Sequence, residues 1–159
     1  MVNKLIPAFL AVLLICQAGA ADLLVNIGKP ETLTLTERDL ELLPGQTVKA
    51  AGHGEEEASW TGVPLYQILQ HAGFSFGDSL RGKVLARYVL VTAADGYRVV
   101  FALPELDPRC ANDPVILAML RNDAALPPEQ GPWQLVVPAE RKHFRWVRQV
   151  TKIEIKEAP

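Results

Sequence analysis

The sequence predicts a single strand-rich α+β domain, with mixed sheets and about three short helices. Three observations carry that expectation. Short β-prone runs recur along the chain, bounded by Gly, Pro, Asn and Asp, while helical periodicity is brief. The chain has 159 residues, 49% hydrophobic and 21% charged, which suits one domain with its own core and argues against disorder. Only two cysteines are present, so neither a disulfide framework nor a four-thiolate metal site is available.

Residues 1–21 read as a signal peptide and 22–159 as the domain. Lys4 gives a short basic start, residues 5–15 form an apolar run too short for a comfortable span, and Ala18-Gly19-Ala20 is a small-x-small cleavage site. Ile15 directly before Cys16 is too bulky for a lipidation site. The expected product is periplasmic or secreted, has no membrane span after cleavage, and keeps Cys110 as its one cysteine. A lone Cys in an exported domain is expected to be buried as a small hydrophobe.

In the mature part, residues 23–27 form a strand and 28–31 a turn. Thr32-Leu33-Thr34-Leu35-Thr36 alternates, placing Leu33 and Leu35 on one face. Thr36 is a helix N-cap with Glu37 and Asp39 in the first turn; Leu40, Leu42 and Leu43 supply the apolar side before Pro44-Gly45 stops it. Residues 47–51 are a short strand. The Glu55-Glu56-Glu57 run lies in a solvated loop, since consecutive carboxylates point in different directions.

Residues 60–65 lead into the strongest helix, with Pro64 in its first turn, Leu65, Ile68, Leu69 and Ala72 on one face, and Gly73 as the stop. His71 is a surface or capping residue on it. Residues 84–93 and 98–103 are strands joined through Asp95-Gly96, a hairpin signal. A helical turn follows at 104–107, and strands at 115–120 and 133–137. A last strand spans 146–155, with Trp146, Arg148, Val150, Lys152 and Glu154 on one side.

Overall net charge is −2, which leaves no basic footprint for nucleic acid. The charge is uneven: residues 22–57 hold eight acids and three bases, and 138–159 hold six bases and three acids. Arg141, Lys142 and Arg145 crowd the loop before the last strand, a cluster suited either to an anionic small molecule or to plain solvation. His53, His71 and His143 show no ligand spacing, and no nucleophile elbow or phosphate loop is present.

The order of segments carries more than any one motif. Leu33-Thr34-Leu35-Thr36-Glu37-Arg38-Asp39-Leu40, Trp60-Thr61-Gly62-Val63-Pro64-Leu65, Asp95-Gly96-Tyr97, Asn112-Asp113-Pro114-Val115-Ile116, Gly131-Pro132-Trp133-Gln134-Leu135 and Arg145-Trp146-Val147-Arg148 follow one another. In that order they resemble the molybdopterin-binding oxidoreductase domain of the sulfite oxidase family, over residues 31–156. The resemblance implies that family's fold and molybdopterin as the cofactor. It implies Tyr97 as the active-site tyrosine, and Arg141, Lys142 and Arg145 as the basic loop that holds the cofactor's phosphate. It also implies a metal-binding cysteine about ten residues before Trp60, where this chain has Lys49-Ala50-Ala51-Gly52-His53. A thiolate is the soft donor molybdenum needs from protein, and alanine cannot replace it. No metal ligand is therefore expected. The reading that follows is a non-catalytic relative binding an anionic or pterin-like ligand. The alternatives are an active oxidoreductase on small oxyanions or sulfoxides, and a module that docks an envelope redox or sensor protein.

Overall fold

The computed structural model describes residues 21–52 and 54–159; the segment read as a signal peptide lies outside them, apart from Ala21. Two five-stranded sheets enclose one apolar core. The first sheet contains β1 (Leu23–Asn26), β2 (Leu33–Leu35), β5 (Arg87–Ala93), β6 (Arg98–Ala102) and β10 (Val150–Glu157), in the order β2-β1-β10-β5-β6. Its β1 and β10 run parallel, and its other pairs are antiparallel. The second sheet contains β3 (Gln46–Ala51), β4 (Glu57–Pro64), β7 (Ile116–Arg121), β8 (Ala124–Ala125) and β9 (Gln134–Val136). In it β4 joins β3 to β7, and both β8 and β9 pair with β7. Three short α-helices, α1 (Glu37–Glu41), α2 (Leu65–His71) and α3 (Leu103–Leu106), pack around the sheets, and two 3-10 turns precede β5. No helix among the described residues is long and apolar enough to cross a membrane.

Local chemistry explains most boundaries. The Thr36 hydroxyl accepts from the Asp39 N–H while the Asp39 carboxylate accepts from the Thr36 N–H, a reciprocal cap that starts α1. At the end of α2 the Gly73 N–H donates to Gln70 and the Phe74 N–H to Leu69, the paired bonds of a Schellman stop, with Gly73 at φ +90°. Asp95-Gly96 closes the β5–β6 hairpin as expected, and Asp95 Oδ1 accepts from the Tyr97 N–H at 2.8 Å.

Several expectations are corrected. Residues 60–64 belong to strand β4, and the helix begins only at Leu65; burial alternates from Glu57 to Gly62 and then stops, with Gly62, Val63 and Pro64 buried in succession. Leu33 on β2 is exposed rather than sharing a buried face with Leu35, and Leu42, at 78% exposure, turns to solvent just past the end of the short α1, leaving Leu40 in the core and Leu43 packed partly against it. Residues 84–86 form a 3-10 turn rather than the start of β5. The last strand starts at Val150, not Trp146, and a register shift between Val150 and Lys152 puts Val150 on the buried side with Ile153 and Ile155. Cys110 is exposed, on the loop after α3, instead of buried.

Candidate functional site: an aromatic cleft with a basic rim

Five segments meet at a cleft of about 450 Å³, within the range that takes small molecules. The β3–β4 turn contributes Gly52 and Glu55, β4 contributes Trp60, the β5–β6 hairpin contributes Tyr97, and residues 130–134 contribute Gln130 and Gln134. The loop before β10 completes it with Lys142, His143, Phe144, Trp146 and Arg148.

Its aromatic part is rigid. Trp60 and Trp146 meet edge to face at 5.5 Å, and His143 lies 4.5 Å from Trp146. Both indole N–H groups are spent inside the protein: Trp60 donates to the Ala50 carbonyl and Trp146 to the Val137 carbonyl, each at 3.1 Å. Outside Trp60, the Arg121 guanidinium sits 5.0 Å from the ring and pairs with Glu55, so that carboxylate is already neutralised.

Of the residues singled out from sequence, Tyr97 and Lys142 line the cleft. The Tyr97 hydroxyl donates to the Phe144 carbonyl at 2.7 Å, tying the hairpin to the basic loop. Arg141 and Arg145 do not line it. Arg145 points the other way: it pairs with Glu140 and Glu105, donates to the Val100 carbonyl at 3.1 Å, and stacks 4.3 Å from the Phe101 ring. Partial burial disfavours its charge, but the two carboxylates outweigh that and hold its pKa above the usual arginine value. Its charge is thus used within the fold. Arg148 supplies the rim's second cation. Arg148 stands in the irregular segment before β10, so the expected strand alternation does not account for its place on the rim. Gln130 and Gln134 had no sequence signal. Neither Lys142 nor Arg148 has a carboxylate within ion-pair reach among the described residues, so the rim carries two uncommitted positive charges.

The residues do not fit a molybdenum centre. In β3, Ala50 is buried opposite Ala58 and Ala51 lies opposite Glu57; Gly52 reaches the cleft with no side chain at all. Cys110 does not line the cleft, and no group of three metal-ligating side chains occurs among the described residues. The carboxylate that does line it, Glu55, is a hard oxygen donor held by Arg121.

The architecture defines a molybdopterin-binding oxidoreductase fold of the sulfite oxidase type. The model of the oxidoreductase molybdopterin-binding domain matches residues 29–159, and the chain belongs to that family. Among solved structures it is similar to the sulfane dehydrogenase SoxCD from Paracoccus pantotrophus, with a TM-score of 0.65 and 23% identity over 85% of this chain. The chain spans only 38% of that neighbour's length. No curated protein matches it closely in sequence.

Proposed function

We propose that the protein is an exported, non-catalytic member of the family whose cleft binds a small planar anion of pterin-like shape. The carrying observation is the pair of uncommitted cations, Lys142 and Arg148, over an aromatic cleft that lacks a thiolate. A flat ring finds packing area on the exposed rings of Phe144 and Tyr97, backed by the buried Trp60 and Trp146, and its anionic group finds the rim. Fold and reaction separate readily in evolution, because a site can be lost while its scaffold survives. Export is supported by the basic start, apolar run and Ala18-Gly19-Ala20 of the leader.

Chain matured in a molybdate-supplied host and purified from the periplasmic fraction is the material for the test. Elemental analysis is expected to find no stoichiometric molybdenum; one metal per chain would sink the non-catalytic reading. Titration with pterin-6-carboxylate, followed through the cleft tryptophans, is expected to saturate. Lys142→Glu and Arg148→Glu should each weaken it about tenfold, the loss of one charge-assisted contact.

A further inference from the structure

We infer that two copies of this chain pair face to face across the mouths of their clefts, the basic loop of each meeting the acidic β3–β4 turn of the other. The inference is independent of any ligand in the cleft. It rests on how charge and apolar surface are arranged around the mouth.

One border of the cleft is basic. Lys142 and Arg148 line it, and Arg141 is exposed beside Lys142. None of the three has a carboxylate within ion-pair reach among the described residues. Another border is acidic. The turn that gives the cleft Gly52 and Glu55, closed by the Glu55 N–H donating to the Gly52 carbonyl at 3.2 Å, runs on into Glu56 and Glu57. Arg121 neutralises Glu55, but Glu56 and Glu57 are exposed and have no cation within ion-pair reach among the described residues. The two sets of charge therefore border one cleft without meeting inside one copy.

The same mouth carries apolar surface. Phe144 is 74% exposed and Tyr97 49%, and the bond from the Tyr97 hydroxyl to the Phe144 carbonyl ties the two residues together. A lone exposed aromatic is ordinary; two joined ones beside uncommitted charge have the make-up of an interface. A patch of a single sign would call for a foreign partner of the other sign. Here both signs border one cleft, so the complement of the patch is the same patch after half a turn. A two-fold axis through the mouth lays each acidic turn on the other copy's basic loop, the self-complementary contact of a closed dimer. The charges supply steering and register, and the aromatics supply contact area. Each copy then covers the mouth of the other's cleft.

Sedimentation velocity without added ligand tests the pairing, on mature chain carrying Cys110→Ser so that no disulfide can link two copies. At about 100 μM and low salt a dimer is expected, as befits a weak, transient interface. About 1 M salt should dissociate it, because screening then cuts the reach of exposed charges to about 3 Å. Arg141→Glu, Lys142→Glu and Arg148→Glu together make both borders acidic; Glu56→Lys with Glu57→Lys makes both basic. Each of these two variants alone should dimerise about tenfold more weakly or worse. Mixed in equal amounts they should form a heterodimer at least as tight as the unaltered pair, since loop and turn again meet with opposite charge; that recovery also shows both variants to be folded. Phe144→Ser should weaken the unaltered dimer severalfold. A chain that stays monomeric in low salt overturns the inference and leaves the rim to a foreign acidic segment. A dimer indifferent to salt, or two variants that fail to pair when mixed, overturns it as well.

Discussion

Asp107 is only 1% exposed, yet it is an acid. Its carboxylate accepts the backbone N–H groups of Gly77 and Arg109, each at 2.9 Å, and the Arg109 guanidinium at 3.3 Å, so one side chain ties two loops together. Burial pushes its pKa up, but these donors outweigh it and hold the group below the ordinary carboxylate value. A depressed pKa adds stability above the unfolded-state value near 3.8 and loses it as pH falls through the folded-state value. Asp107→Asn should therefore lower Tm at pH 7, with about 2 kcal/mol lost, and flatten the acid limb of the stability profile. Thermal melts between pH 2 and 7 measure both, and an unchanged acid limb would reject the assignment. Arg145 gives the complementary case. Arg145→Gln should cost about 1 kcal/mol in urea denaturation and change pterin-6-carboxylate affinity less than twofold, because its partners are Glu140, Glu105 and Val100 rather than the cleft.

Among the elements, β4 shows why Trp60-Thr61-Gly62 matters to the fold. A Cβ on Gly62 would lie 2.0 Å from the Leu117 carbonyl oxygen and 2.5 Å from the Ala118 Cα, both backbone atoms of β7. The β4–β7 pairing changes register beside it, between Thr61 and Gly62. Gly62→Ala should prevent soluble folding. Gly54→Ala meets no atom within 4 Å and carries only the strain of φ +70°, so it should cost about 1 kcal/mol. Soluble yield and melting curves of the two variants compare them directly. The same strand marks the limit of sequence reading. β1, β3 and the β5–β6 hairpin follow their residue patterns because local alternation or turn chemistry decides them. β4 lacks that signal where both of its faces are covered, and β10 escaped its apparent alternation through a bulge that only pairing with β5 creates. The cleft follows the same rule: Tyr97 and Lys142 stand on a turn and a loop that the sequence marks, whereas Gln130 and Gln134 gain their position from long-range packing.

At the scale of the whole molecule, surface chemistry departs from expectation at Cys110. It is exposed and has no disulfide partner within the described chain. Mild oxidation of the mature protein should give a disulfide-linked dimer that reductant reverses and Cys110→Ser abolishes, read on non-reducing gels. The order β2-β1-β10-β5-β6 has another bearing, on time rather than on contact. The central strand of the first sheet, β10, comes after all the other described strands in chain order, and it alone joins β1 to β5. Until residues 150–157 have emerged, the strands on either side have nothing to close upon. A growing chain short of residue 157 thus holds two unfinished parts of this sheet, and they become one cooperative unit only when β10 is in place.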